Sequence, residues 1–259
     1  MNLNKGLLST PYRSDKAQVE CHFRNLQQVL LSEIEKADIV LGCVAWISDP
    51  LILESLTKRS TALILDSKIN RMGKRLQALY AQLQHTDKQP IYDMLLNGLG
   101  SERYLCYTDT ENEPVKGAYA EDWNFESGLY AVDGFYQYMH HKFLVLIKEI
   151  NPCNQCGKKM YQPTVWTGSF NFTKNASKGL ENAVIIRDRF ISASYLCEFL
   201  EIYRNHSRQV NILDLEDMDK GIKANGENGV FQPRTYRGEQ FPLEWFCVCC
   251  LDWQTINCP

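Results

Sequence analysis

The sequence predicts an α/β protein, a mixed β-sheet flanked by helices on both faces, with a C-terminal extension. Two observations lead there. Segments of strand-like and helix-like apolar spacing alternate along residues 1–206. Within them, Phe143–Ile147 is an unbroken apolar run, the pattern of a strand buried on both faces. Beyond Asn205 the patterning changes. Residues 207–259 are therefore expected to form an extension packed on the main domain of residues 1–206.

Residues 1–16 are polar and read as an arm. Ala17–Lys36 has helical spacing through Val19, Phe23, Leu26, Val29, Leu30 and Ile34. A strand, a helix and a second strand follow as far as Asp66, and Lys68–Arg75 is a basic linker. Leu76–Gln84 and, after Pro90, Ile91–Leu96 read as helices. Glu102–Cys106 and Gly128–Val132 read as strands on either side of an acidic loop, Asp109–Asp122. After the Phe143 strand comes an insertion near 149–163. Then come an extended segment at Val165–Asn171, a strand at Leu180–Ile186 and a helix at Ile191–Arg204. Leu213–Lys223 suits a short charged helix, and residues 224–229 a loop. The aromatic and cysteine-rich tail, Phe241–Trp253, suits an extra strand, a dimer surface or a lid.

Composition narrows the function classes. The net charge of −3 over 259 residues argues against broad adhesion to nucleic acid through a very basic surface. No apolar run reaches membrane-spanning length, and Met1–Gly6 lacks a signal-peptide core, so a soluble cytoplasmic protein is expected. Ten cysteines in a reducing compartment imply free thiols or a metal site. Cys21, Cys43, Cys106 and Cys197 sit singly among apolar residues and read as small core residues. Cys153 and Cys156 form a Cys-x-x-Cys-Gly knuckle that could present two thiolates to a structural zinc, with Cys247 and Cys250 as a partner pair. A reduced hairpin tip is the alternative.

The chemistry concentrates in residues 139–186. His140 and Lys142 precede a Gly168-Ser169-x-Asn171 turn and a carboxylate, Glu181. An imidazole can supply a nucleophile. An ammonium, a hydroxyl and an amide can neutralise and hydrogen-bond phosphoryl oxygens, so the set can attack a phosphodiester without a metal. In a strand, residues i and i+2 share a face. His140 and Lys142 should then point one way and His141 the other, and Ser169 and Asn171 should share a side. Gly168, lacking a Cβ, lets the backbone approach an anion closely.

Met139-His140-His141-Lys142-Phe143, Thr167–Thr173 and Glu181-Asn182-Ala183-Val184 resemble the phospholipase D superfamily, most closely its small bacterial endonuclease branch. Ala37–Ile47, Leu51–Leu56 and Ala62–Asp66 are similar to its first strand, helix and second strand, so the likeness spans roughly residues 22–206. One position departs: Ile147 stands where the family motif usually carries a structural Asp. The resemblance implies catalysis without a cofactor through a phosphohistidine on His140. Lys142, Ser169 and Asn171 would hold the phosphoryl group, and Glu181 would orient the imidazole. It also implies a second His-x-Lys motif, and the chain has one, so a homodimer is expected. The substrate expected is nucleic acid, DNA before RNA, and the setting could be a larger bacterial complex. A phospholipase or other phosphodiesterase, and a non-catalytic scaffold of the same fold, are the competing readings.

Overall fold

The computed structural model describes residues 12–14, 18–66, 73–99, 107–108, 114–115, 128–132, 139–152, 157 and 159–209. Its elements in chain order are β1 (Tyr12–Ser14), β2 (Val19–His22), α1 (Leu26–Lys36), β3 (Ile39–Val44), α2 (Pro50–Leu56), β4 (Ser60–Leu65), α3 (Lys74–Gln84) and α4 (Gln89–Leu99). Then follow β5 (Tyr107–Thr108), β6 (Pro114–Val115), β7 (Leu129–Val132), β8 (Lys142–Ile150), β9 (Met160–Gly168), β10 (Ala183–Ile186), α5 (Arg189–His206) and β11 (Ser207–Gln209). Among the described residues, one nine-stranded sheet has the order β1-β2-β10-β9-β8-β3-β4-β7-β11, and β5 and β6 form a separate ribbon. The sheet is mixed. β3, β4 and β7 run parallel, whereas β8 is antiparallel to β3 and β9.

Strand parity divides the core into two layers. Leu41, Cys43, Phe143, Val145 and Ile147 pack against α4 and α5. Val40, Val44, Leu144, Leu146 and Trp166 pack against α1, α2 and α3. Each central strand is thus apolar on both faces, which explains the unbroken run at 143–147. Ile147, at the departing position, lies fully buried opposite Ile39 and serves this core.

The first helix starts later than its spacing suggests. Val19–His22 is a strand paired with β1 and β10, and α1 begins at Leu26 after Asn25 turns the chain in a left-handed conformation (φ 56°). Val19, Phe23 and Leu26 mimic a helical stripe. The residues that β2 buries are Glu20, which pairs with Arg187 far along the chain, and His22, whose Nε2 lies 3.4 Å from Glu20. The strand expected at Leu180–Ile186 begins at Ala183, leaving Glu181 in the preceding turn. The strand at Glu102–Cys106, most of the acidic loop and all of 210–259 lie outside the described residues.

Candidate active site

One end of the sheet gathers the motif residues. Lys142 opens β8 opposite Val44, the last residue of β3. Gly168 ends β9 opposite Ala183, which opens β10. Chain reversals on neighbouring strands therefore bring residues 140–142, 168–172 and 181–183 together.

His140 and Lys142 share a face as their spacing requires. The Lys142 ammonium lies 3.2 Å from each ring nitrogen of His140 and donates to its carbonyl oxygen at 2.9 Å. An ammonium can only donate, so the ring nitrogen it bonds must be the unprotonated one. His141 turns to the other face, where Nε2 lies 3.3 Å from Glu198 Oε1 on α5 and the ring packs edgewise on Phe143. It belongs to the packing of α5.

Lys142 is buried while His140 is exposed. Burial holds the ammonium below the usual lysine range, and the charge of Glu181 partly offsets that. A buried cation so incompletely compensated favours an incoming anion.

The turn after β9 is built around Ser169. Its N–H donates to the Asn182 carbonyl at 3.1 Å, and its hydroxyl accepts the Asn182 N–H at 3.0 Å. The same hydroxyl donates to Glu181 Oε2 at 2.5 Å. Gly168 is required here: at φ 156° a Cβ would collide with the Asn182 carbonyl oxygen and stand 2.8 Å from Ala183 Cα. Glu181 is thus bonded to Ser169 and lies within electrostatic reach of Lys142. Among the described residues no hydrogen bond joins it to His140. Asn171 presents a different picture: its Oδ1 is buried with no hydrogen-bond partner among the described residues. Phe170 and Phe172 on either side anchor this segment in the core.

Sequence reasoning overlooked Trp46. It follows β3, is 46% exposed, and sets its ring edge-to-face against His140 with centroids 5.8 Å apart at 85°. Its exposure beside the motif depends on β3 ending next to β8, a pairing across about a hundred residues that composition does not reveal.

Cys153, Cys156, Cys247 and Cys250 lie outside the described residues. Among those described, Cys21 and Cys43 are free thiols, and Cys43 is buried, as its apolar setting suggested. No helix among the described residues is long and apolar enough to cross a membrane.

Comparison with known proteins places these features. Residues 60–203 match the family described as cardiolipin synthase, PLD-like domain. A protein of Acanthamoeba polyphaga mimivirus, named only as uncharacterised, is 29% identical over 220 residues, covering 82% of this chain and 74% of its own. Among solved structures, Nuc from Salmonella typhimurium, a phospholipase D family member, aligns at 18% identity and a TM-score of 0.43. That alignment covers 78% of this chain and all of Nuc. NucT from Helicobacter pylori aligns at 13% identity and 0.41, covering 77% of this chain and 97% of its own. The family match takes in more than half of the chain, including His140, Lys142, Ser169, Asn171 and Glu181, and the chain belongs to the phospholipase D superfamily of phosphodiesterases.

Proposed function

We propose that the protein is a nuclease that cleaves DNA through a phosphohistidine intermediate, without a catalytic metal. The observation that carries this reading is the Lys142 ammonium held against the ring of His140, a nucleophile and an anion anchor in direct contact. His140 attacks phosphorus, a P–N bond forms and one P–O bond breaks. The leaving oxygen takes a proton from His140 of a second copy. That imidazole then removes a proton from water, the water oxygen attacks phosphorus, and the P–N bond breaks to release phosphomonoester and free His140. Lys142, Ser169 and Asn171 stabilise the charge on the phosphoryl oxygens throughout. Two copies are needed because one chain supplies one His-x-Lys pair, and a symmetric dimer meets that need with a single surface.

Nucleic acid is favoured because residues 167–186 resemble the endonuclease branch. The test is hydrolysis of DNA, RNA and phosphatidylcholine in the presence of chelator by wild type and His140→Ala. DNA cleavage that vanishes in the variant supports the proposal. Turnover of lipid without DNA cleavage refutes it. Specific activity that falls as the protein is diluted to monomer checks the dimer.

A further inference from the structure

Trp46 beside His140 and two lysines on the turn that follows Phe172 are groups that the phosphoryl chemistry does not use. Trp46 is half-exposed on a rigid support. Its carbonyl accepts the Phe172 N–H at 3.1 Å, and the Phe172 carbonyl accepts the N–H groups of Ser48 and Asp49 at 2.9 and 3.0 Å. Ile47 pairs with Phe172 in a parallel bridge. With its edge contact to His140, this fixes the indole beside the nucleophile while much of the ring stays open to solvent.

The second and third groups are Lys174 and Lys178. Both are exposed on the turn that runs from Phe172 to Glu181, and neither forms an ion pair among the described residues. Residues 173–180 contain two lysines and no carboxylate, in a chain of net charge −3. A locally cationic turn therefore leads away from Phe172, which is bonded to the backbone of Trp46, and the half-exposed indole stands beside the nucleophile.

We infer that Trp46 and the Lys174–Lys178 turn form a binding platform for single-stranded nucleic acid, with Trp46 stacking the base next to the scissile phosphate and the lysines tracking the backbone. This rests on the nuclease reading and adds to it a strand preference. An indole face can accept a base only if that base has left its own stack, which is free in a single strand and costly in a duplex. Stacking on an aromatic is indifferent to base identity, so little sequence preference accompanies it. The lysines supply charge that the protein as a whole lacks.

The test compares a single-stranded DNA oligonucleotide, the same strand in a duplex, and an oligomer of abasic tetrahydrofuran units, using the full chain with chelator. Wild type should favour the single strand over both others. Trp46→Ala should raise KM for the natural single strand about 10-fold and abolish its advantage over the abasic oligomer, and Trp46→Phe should recover most of both. Melting curves of each variant establish that it is folded. Lys174→Gln with Lys178→Gln should flatten the slope of log affinity against log salt by about 1.4, the expectation for two phosphate contacts on a single strand. If Trp46→Ala lowers cleavage of the natural and abasic oligomers equally, Trp46 serves only to position His140 and the platform is refuted. Wild type cutting duplex as readily as single strand refutes it too, and both results leave the nuclease reading intact. Failure of wild type to cut any nucleic acid, or turnover of phospholipid vesicles instead, overturns the nuclease reading itself.

Discussion

Two clusters of charge lie on the α1–α3 side of the sheet, and they are finished differently. In one, Glu33 of α1 accepts from both Arg187 terminal nitrogens at 3.0 and 3.3 Å and from Lys36 at 2.6 Å. Arg187 also lies 3.3 Å from Glu20, and Glu20 lies 3.4 Å from His22. Burial alone would raise the Glu33 carboxyl, yet the bonds from Arg187 and Lys36 outweigh it and hold the group below its ordinary value. In the other, burial prevails over Glu181, and the Lys142 ammonium is held below its ordinary range. Internally completed charge locks β2, α1 and the β10–α5 junction together. Charge left incomplete beside His140 invites an anion from outside. On the proposed function, the contrast separates residues that serve stability from residues that serve chemistry.

Removing the incomplete pair should give the largest effect and touch activity alone. His140→Ala and Lys142→Met should each lower phosphodiesterase activity by about 10³-fold or more, while Tm stays within a few degrees of wild type. Loss of Lys142 also removes a desolvated charge, so Lys142→Met should not melt earlier. The pH profile sharpens the point. Because burial lowers Lys142, the alkaline limb of kcat/KM should turn down below 10.5, the value of an unperturbed lysine. A Lys142→Met variant that unfolds would break the contrast.

Removing the completed cluster should do the opposite. Arg187→Met removes the cation that Glu33 and Glu20 share; their side chains, 8% and 11% exposed, keep Lys36 and His22. Stability should fall by about 3 kcal/mol, read from chemical denaturation, with activity of the folded fraction retained. Replacing Glu33 by Leu in the same chain should recover part of the loss, because both ends of the interaction are then gone.

Acid should dissect the same cluster. Glu33 is depressed in the folded state, so its contribution to stability is complete above the unfolded value near 4.5. It is lost as pH falls through the lower folded value. Wild type should therefore lose Tm more steeply than Glu33→Gln below about pH 4.5. Parallel curves would mean that Arg187 and Lys36 do not favour the charged carboxylate.

The same contrast explains what the sequence made legible. The unbroken run Phe143–Ile147 announced a central strand, and two-residue periodicity put His140 with Lys142 and His141 opposite them. Both are local properties, set within a few residues. Val19, Phe23 and Leu26 fall at helical intervals and give β2 the pattern of a helix, although it is a strand that buries the polar Glu20 and His22. Glu20 finds its cation in Arg187, far along the chain, and His22 lies against Glu20. The partner of Glu181 was also hidden: a turn geometry fixed by Gly168 and Asn182 gives its hydrogen bond to Ser169, which spacing could not indicate. Trp46 became visible as a site residue only when β3 was paired with β8.

A test of smaller effect asks whether the incomplete cluster can be completed from solution. A group that binds the folded state alone stabilises it by mass action, and an anion at five times its Kd adds about 1 kcal/mol. Orthophosphate offers the same oxygens as a phosphodiester without a bond to cleave. It should raise the Tm of wild type by about 2–4 °C at that saturation. Lys142→Met should gain nothing, having lost the buried cation, whereas Arg187→Met, with the site intact, should gain as much as wild type from its lower starting point. Equal shifts in all three proteins would place the bound phosphate elsewhere, on surface lysines, and remove the distinction drawn between the two clusters.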